Sequence, residues 1–288
     1  MSFFQRLKDC DTFKESNFFK FFINKYHVGF IKKKNLNIIN KFPNFFLFKE
    51  NKIFLKKEIN NFKKRTYVIN QVFNFLVKKK LILSKHREYF PVFKSFKSKP
   101  LLKVQRVIGP FFGFQFFGVH LNGFLKKNNK YFMWVGRRSK KGNFPNDLDQ
   151  IVAGGLPFNV TVIKNLIKES FEEANINKTL ILKSKYDGTI SYRVETKLGM
   201  SRHILFCYNL ELPMNFIPKN NDGEITNFYL WPIQKILKII KQSRKFKFDC
   251  SLVIILFALN KKIIQIKKIK QMLNNKSDLK ILKKIKKN

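Results

Sequence analysis

Carboxylates are scarce in this chain: 18 Asp and Glu stand against 59 Lys and Arg, leaving a formal charge of +41 over 288 residues. That balance first suggests a nucleic-acid binder. The excess, however, is Lys spread along almost the whole length, accompanied by 35 Phe, many Ile and Asn, and only Ala153, Ala174 and Ala258 as alanines. A binding face is a patch, whereas this is the wash left when a genome drifts toward A and T. No specific nucleic-acid partner is expected, although any polyanion is attracted in a salt-dependent way.

Cysteine is equally sparse. Cys10, Cys207 and Cys250 show no close pairing and no C-x-x-C, so neither a disulfide framework nor a zinc site is suggested, and a reducing compartment fits. Long hydrophobic runs are missing too. Met1 to Asp11 has no apolar core of a signal peptide, and the runs Val107 to Val119 and Leu252 to Leu259 are too short to span a bilayer. The expectation is a cytoplasmic protein with no membrane partner. With 44% hydrophobic and 27% charged residues the chain lies in the globular range, long enough for one large domain or two ordinary ones.

What is present reads as two modules and a tail. Residues 1–105 mix short patterns: a strand over Lys25 to Ile31, a helix within Asn61 to Leu83 carried by Phe62, Val68, Val72, Phe73, Leu76 and Val77, and a short strand ending near Pro91. Pro100 and Gly109-Pro110 punctuate the chain before the composition changes. Residues 106–262 then alternate as strands over Phe114 to Gly123 and Tyr131 to Arg138, joined by the polar turn Lys126 to Lys130. Further strands are expected at Thr189 to Glu195, Arg202 to Leu212 and Ile225 to Trp231, with helices at Pro232 to Lys241 and about Cys250 to Asn260. Residues 263–288 form a Lys-rich, low-complexity tail.

One segment concentrates the scarce acids. Thr161 is placed to N-cap a helix running to Asn175, with Ile163, Leu166, Ile167 and Ala174 as its buried stripe. Glu169, Glu172 and Glu173 crowd a second face, three of 18 acids within five residues. Like charges at that spacing repel by about 0.2–0.5 kcal/mol per pair. A lysine-neutralised surface is one reason to tolerate them; a hard divalent cation, which prefers carboxylate oxygens, is the other. Gly154-Gly155 and a short loop precede this helix.

With those glycines, the segment resembles the Nudix box, G-x5-E-x7-R-E-U-x-E-E-x-G-U. Gly154 falls on the first Gly, Glu169 on the Glu after the Arg position, Glu172 and Glu173 on the paired Glu, and Ile176 on the terminal apolar position. Val160 replaces the first Glu, Lys168 the Arg, Ser170 an apolar residue and Asn175 the last Gly. The strings GVHLNG (118–123), WVGRRS (134–139), LDQIVAGGLP (148–157), KESFEEA (168–174), ISY (190–192) and NNDGEITNFYLWPI (220–233) are similar to the Nudix branch related to thiamine pyrophosphokinase. That branch usually carries the Lys, the apolar residue at the first Glu, and an N-terminal module of uncharacterised role. Asn159 replaces a Gly frequent there.

The resemblance implies an α+β chain: a Nudix α/β/α sandwich with a mixed sheet after a small α+β module. It implies a pyrophosphohydrolase using Mg²⁺, or Mn²⁺ in its place, on a small-molecule diphosphate. Glu172 and Glu173 would hold the metal, Glu169 would order the attacking water or act as general base, and Glu224 is the candidate further ligand. Arg137 and Arg138 are candidates for phosphate oxygens, and His120, Asn122, Gly154, Gly155 and Tyr192 for the rest of the substrate. Phe114, Phe116 and Trp231 are further aromatics that could stack on a heterocycle. His27, His86 and His203 form no ligand spacing. The branch points to thiamine diphosphate or its oxidised derivatives; a nucleoside diphosphate derivative such as ADP-ribose, and a Nudix-fold binder without turnover, are the competing readings. Because the tail is read as inert, deleting residues 261–288 is expected to weaken non-specific polyanion binding, measured against salt, while leaving turnover unchanged.

Overall fold

The structure is a computed structural model and describes residues 2–82, 88–96, 98–141 and 144–265. His86, and the part of the tail that follows Gln265, lie outside the described residues. No helix among the described residues is long and apolar enough to cross a membrane.

Helix α1 (Phe3–Asp9) begins at Ser2, whose hydroxyl accepts from the Gln5 amide. Strands β1 (Phe18–Ile23) and β2 (Tyr26–Lys32) pair as a hairpin turning at Asn24, whose φ is 52°. Helix α2 (Leu36–Ile39) leads to a second hairpin, β3 (Phe46–Lys49) with β4 (Lys52–Leu55), turned by Glu50 and Asn51 at φ 51° and 57°. Strand β4 runs parallel to β1, giving the order β2-β1-β4-β3. Helix α3 (Phe62–Lys78), capped by Asn61, buries Val68, Ile69, Val72, Phe73 and Leu76 in the core of this module. Strands β5 (Tyr89–Val92) and β6 (Leu102–Gln105) form an antiparallel pair beside it.

After α4 (Gly109–Phe112) come β7 (Gln115–Lys127) and β8 (Lys130–Arg138), with Asn128 and Asn129 both left-handed in the turn between them, the conformation a tight hairpin demands. Strands β9 (Leu148–Asp149) and β10 (Val152–Gly155), helices α5 (Val162–Ala174) and α6 (Lys178–Ile181), strands β11 (Lys185–Glu195), β12 (Met200–Glu211) and β13 (Ile225–Pro232), and helices α7 (Ile233–Gln242) and α8 (Phe248–Asn260) complete the chain. The sheet order is β11-β12-β7-β8-β13, with β10 on β7 and β9 on β8. Strand β12 runs parallel to β7 and the other pairs are antiparallel, so the sheet is mixed. Val119, Leu121 and Tyr208 pack with Leu166, Ala174 and Ile181 of α5 and α6 on one face. Phe124, Met133 and Val135 pack with α7 and α8 on the other. This is the expected α/β/α sandwich.

Two features depart from the sequence reading. The first residues, counted with the N-terminal module, pack elsewhere: Phe4, Leu7 and Cys10 of α1 share a core with Ile190, Leu205, Leu252 and Val253. And Ile163, assigned to the buried stripe of α5, is 47% exposed. The inward face of that helix is Asn165, Leu166, Ser170, Glu173 and Ala174, because Asn165 Nδ2 donates to the Gly155 carbonyl at 2.9 Å and pulls the helix round onto β10.

The N-terminal sheet meets the sandwich backbone to backbone. A Cβ on Gly29 would collide with the Phe112 carbonyl, and one on Gly113, at φ +59°, would lie 2.5 Å from the Phe30 carbonyl oxygen. One core cluster runs unbroken from Phe19 to Phe116 across this junction. Gly113→Ala combines a left-handed L-residue with that collision, so it is expected to lower stability by about 2 kcal/mol or more, read as a shifted urea midpoint.

Candidate active site

Helix α5 starts where the Thr161 hydroxyl accepts from the Lys164 amide and stops where Asn175 turns left-handed, at φ 54°. Asn175 thus does what the expected Gly would do. Asn159 does the same in the preceding loop, at φ 65°, which explains how Asn serves where the related branch has Gly. Between them, two carboxylates are brought onto β10. The Glu173 carboxylate accepts from the Ala153 amide at 2.9 Å. Glu169 lies so close over Gly154 that any side chain there would run into its carboxyl group. A side chain at 154 would therefore push the Glu169 carboxyl off this strand.

Lys168 stands among these acids. Its Nζ is 3.3 Å from Glu88, 3.4 Å from Glu169 and 3.3 Å from Glu172. Burial pushes the Glu169 carboxyl up to about 7, against the pull of Lys168 and with the help of Glu172. Burial also pushes Glu173 well up, and the charge of Glu169 adds to it. Among the described residues no three acidic, His or Cys side chains converge on one point as a finished ligand set, and Glu224, the expected fourth acid, instead faces Arg138 at 3.3 Å. The donor chemistry nonetheless fits a hard divalent cation. Burial raises both carboxyl groups, with the charge of Glu172 added at Glu169 and that of Glu169 at Glu173, and an all-oxygen cation site is what relieves such stress.

The strand those carboxylates touch, Ala153 to Gly155, is also a wall of a cavity of about 220 Å³. His120 and Tyr192, both candidates from the sequence, line it, and so does Phe116. Other candidates are placed elsewhere. Asn122 is fully buried, donating to Asn209 at 2.9 Å and accepting from Gln150 at 2.8 Å. Arg138 is held by Asp149 at 2.8 Å as well as by Glu224. Arg137 donates to the Asn146 carbonyl at 3.0 Å and lies over the Tyr229 ring. Neither arginine lines the cavity, nor do Phe114, a core residue, and Trp231, stacked on Tyr229.

Other residues enter that no sequence pattern marked. His203 stacks on Tyr192 at 5.0 Å, and Phe144 and Phe248 add aromatic wall. Lys247 and Asp249 pair at 3.2 Å beside them. Asp149, 1% exposed, is held down to about 2 although burial opposes it, because Lys247 and Arg138 surround it.

Comparison with known proteins decides the family. Across 260 residues the chain is 34% identical to Nudix hydrolase 24, chloroplastic, of Arabidopsis thaliana, covering 88% of this chain and 71% of that protein. Nudix hydrolase 20, chloroplastic, of the same organism is 34% identical over 267 residues, with the same shares covered. The chain belongs to the Nudix hydrolase family. Residues 2–116 of this Nudix hydrolase match a family described as a domain of unknown function (DUF4743). The crystal structure of a C. elegans Ap4A hydrolase binary complex is 16% identical, covering 52% of this chain and 99% of that one at a TM-score of 0.39.

His120 offers a test of the cavity wall in this Nudix hydrolase. It is 3% exposed and hydrogen-bonded through Nδ1 to Gln150, and burial lowers its pKa from 6.5. The unfolded chain then binds a proton that the folded chain refuses, so stability is lost as pH falls below about 6.5. His27 and His203 are lowered in the same sense. His120→Gln is expected to lose less stability than wild type between pH 7.5 and 5.5 in urea titrations.

Proposed function

We propose that this Nudix hydrolase cleaves the diphosphate of an organic small molecule by attack of water on phosphorus, with Mg²⁺ as the cation and Mn²⁺ able to replace it. The observation that carries this reading is the seating of Glu169 and Glu173 on Ala153 and Gly154, at the wall of an aromatic cavity. Glu172 and Glu173 would hold the cation with Glu169 beside them, and Glu224, paired with Arg138 in the structure, is the candidate further ligand. The cation, when bound, supplies Lewis-acid polarisation of the phosphoryl oxygens.

The chain's own residues do the rest. Glu169, its carboxyl raised to about 7 by burial, takes a proton from the attacking water as general base. The phosphorus–oxygen bond of the bridge breaks, and the products are an organic monophosphate and phosphate. Tyr192, stacked on His203, and Phe116 present flat faces to the organic group, and offset or edge contacts of that kind suit a heteroaromatic ring. With the sequence strings described above, this supports thiamine diphosphate or its oxidised derivatives as substrate, cut to the monophosphate.

Glu172→Gln and Glu173→Gln are each expected to lower magnesium-dependent phosphate release by about two orders of magnitude or more, with the urea midpoint nearly unchanged for the half-exposed Glu172. Wild-type rates in both would remove the assignment. Side-by-side turnover of thiamine diphosphate, its oxidised forms and ADP-ribose is expected to favour the thiamine compounds; faster ADP-ribose hydrolysis overturns the substrate reading.

A further inference from the structure

The cations around the cavity are mostly committed. Arg138 is clamped by two carboxylates, Lys168 by three, and Lys247 by Asp249. Arg106 differs. It is exposed, lines the same cavity as Gly154, Gly155 and Tyr192, and its side chain has no hydrogen bond or ion pair among the described residues. Its guanidinium instead lies over the Phe90 ring, 5.8 Å from the centroid. Phe90 is itself 2% exposed and fixed against Phe116. An arginine resting on an immobile aromatic face is oriented without being neutralised.

Where it is aimed follows from the glycines. A Cβ on Gly155 would lie 2.8 Å from Phe90 and 3.9 Å from Arg106 Nη1. Absence of a side chain at 155 thus lets the Phe90–Arg106 pair close against β10, next to the residue that Glu169 covers. Successive residues of a strand face opposite ways, so the carboxylate and the guanidinium reach neighbouring backbone positions from the two sides of that strand. Arg106 and Phe90 both fall within residues 2–116, the span of the domain of unknown function. Glu88, from the same span, holds Lys168.

We propose that Arg106 is a substrate-binding residue that takes phosphate oxygens of the diphosphate, and that the segment matched by the domain of unknown function, residues 2–116, thereby completes the active site. This rests on the hydrolase reading for the identity of the anion. The planar fork of Arg matches phosphate oxygens two at a time, and a cation without a competing carboxylate gives up no ion pair to bind them.

The test is calorimetric titration of the full-length protein with inorganic pyrophosphate, with and without Mg²⁺. Arg106→Ala and Arg106→Gln are expected to weaken binding about tenfold or more, with Arg106→Lys between them and wild type. Lys130→Ala, at an exposed turn remote from the cavity, controls for bulk charge and should stay within about twofold. Far-UV circular dichroism and urea midpoints of the Arg106 variants are expected to match wild type. Unchanged affinity in both Arg106→Ala and Arg106→Gln, an equal loss in Lys130→Ala, or no measurable binding by wild type each overturn the proposal. Loss of turnover in Glu173→Gln alongside unchanged pyrophosphate affinity in Arg106→Ala sinks this inference and leaves the hydrolase reading standing. Full turnover in Glu173→Gln removes that reading while the affinity of the Arg106 variants is still measured.

Discussion

Everything at the site depends on one contact surface, the seating of α5 against β10. Two hydrogen bonds and one packing contact make it: Asn165 to the Gly155 carbonyl, Glu173 to the Ala153 amide, and the Glu169 carboxyl over the bare Cα of Gly154. A helix usually packs on a sheet through an apolar stripe. Here Leu166 and Ala174 supply that stripe only in part, and the inward face also carries Ser170 and Glu173. Stability is thereby surrendered for position, since burying carboxylates costs free energy unless a cation or hydrogen bonds compensate. The raised Glu169 and Glu173 are the measure of that cost.

Charge in the interior is organised around the same strand. Asp149, just before β10, is surrounded by Arg138, Lys247 and the Cys250 thiol, and Asp249 is held by Lys247. Two of the chain's few acids, Asp149 and Asp249, are thus buried beside basic partners, while most of its lysines remain on the surface. The formal charge of +41 therefore says little about the site, whose local balance is set by paired groups. The acidic patch on α5 is also partly offset by Lys168, whose ammonium it shares with Glu88.

That domain is more than an appendage in physical terms. Its core continues without interruption into Phe111, Phe112, Phe114 and Phe116, the approach to the central strand of the sandwich. Gly29 and Gly113 let the two backbones touch, and Phe90 of β5 presses on Gly155 at the cavity wall. A displacement of the N-terminal sheet is accordingly transmitted to the strand on which the candidate carboxylates rest, because close-packed interiors pass strain on rather than absorb it.

By itself the sequence determined what is local. Periodicity located β2, α3, β8, α5, β12 and β13, since burial on one face imposes a period of two or of 3.6, while β7 and α8, buried almost throughout, were legible as apolar runs. The spacing of Gly154, Glu169, Glu172 and Glu173 marked the helix and its strand, and Asn175 announced its stop. Only the tertiary structure decided what is relational. Arg137, Arg138 and Asn122 have the right chemistry for substrate, yet their partners at Asn146, Asp149, Glu224 and Asn209 lie far along the chain or across the sheet. Arg106, Lys247, Asp249 and His203 meet at one cavity from separate segments. No pattern along the chain carries that meeting, because a side chain's availability depends on what folds against it.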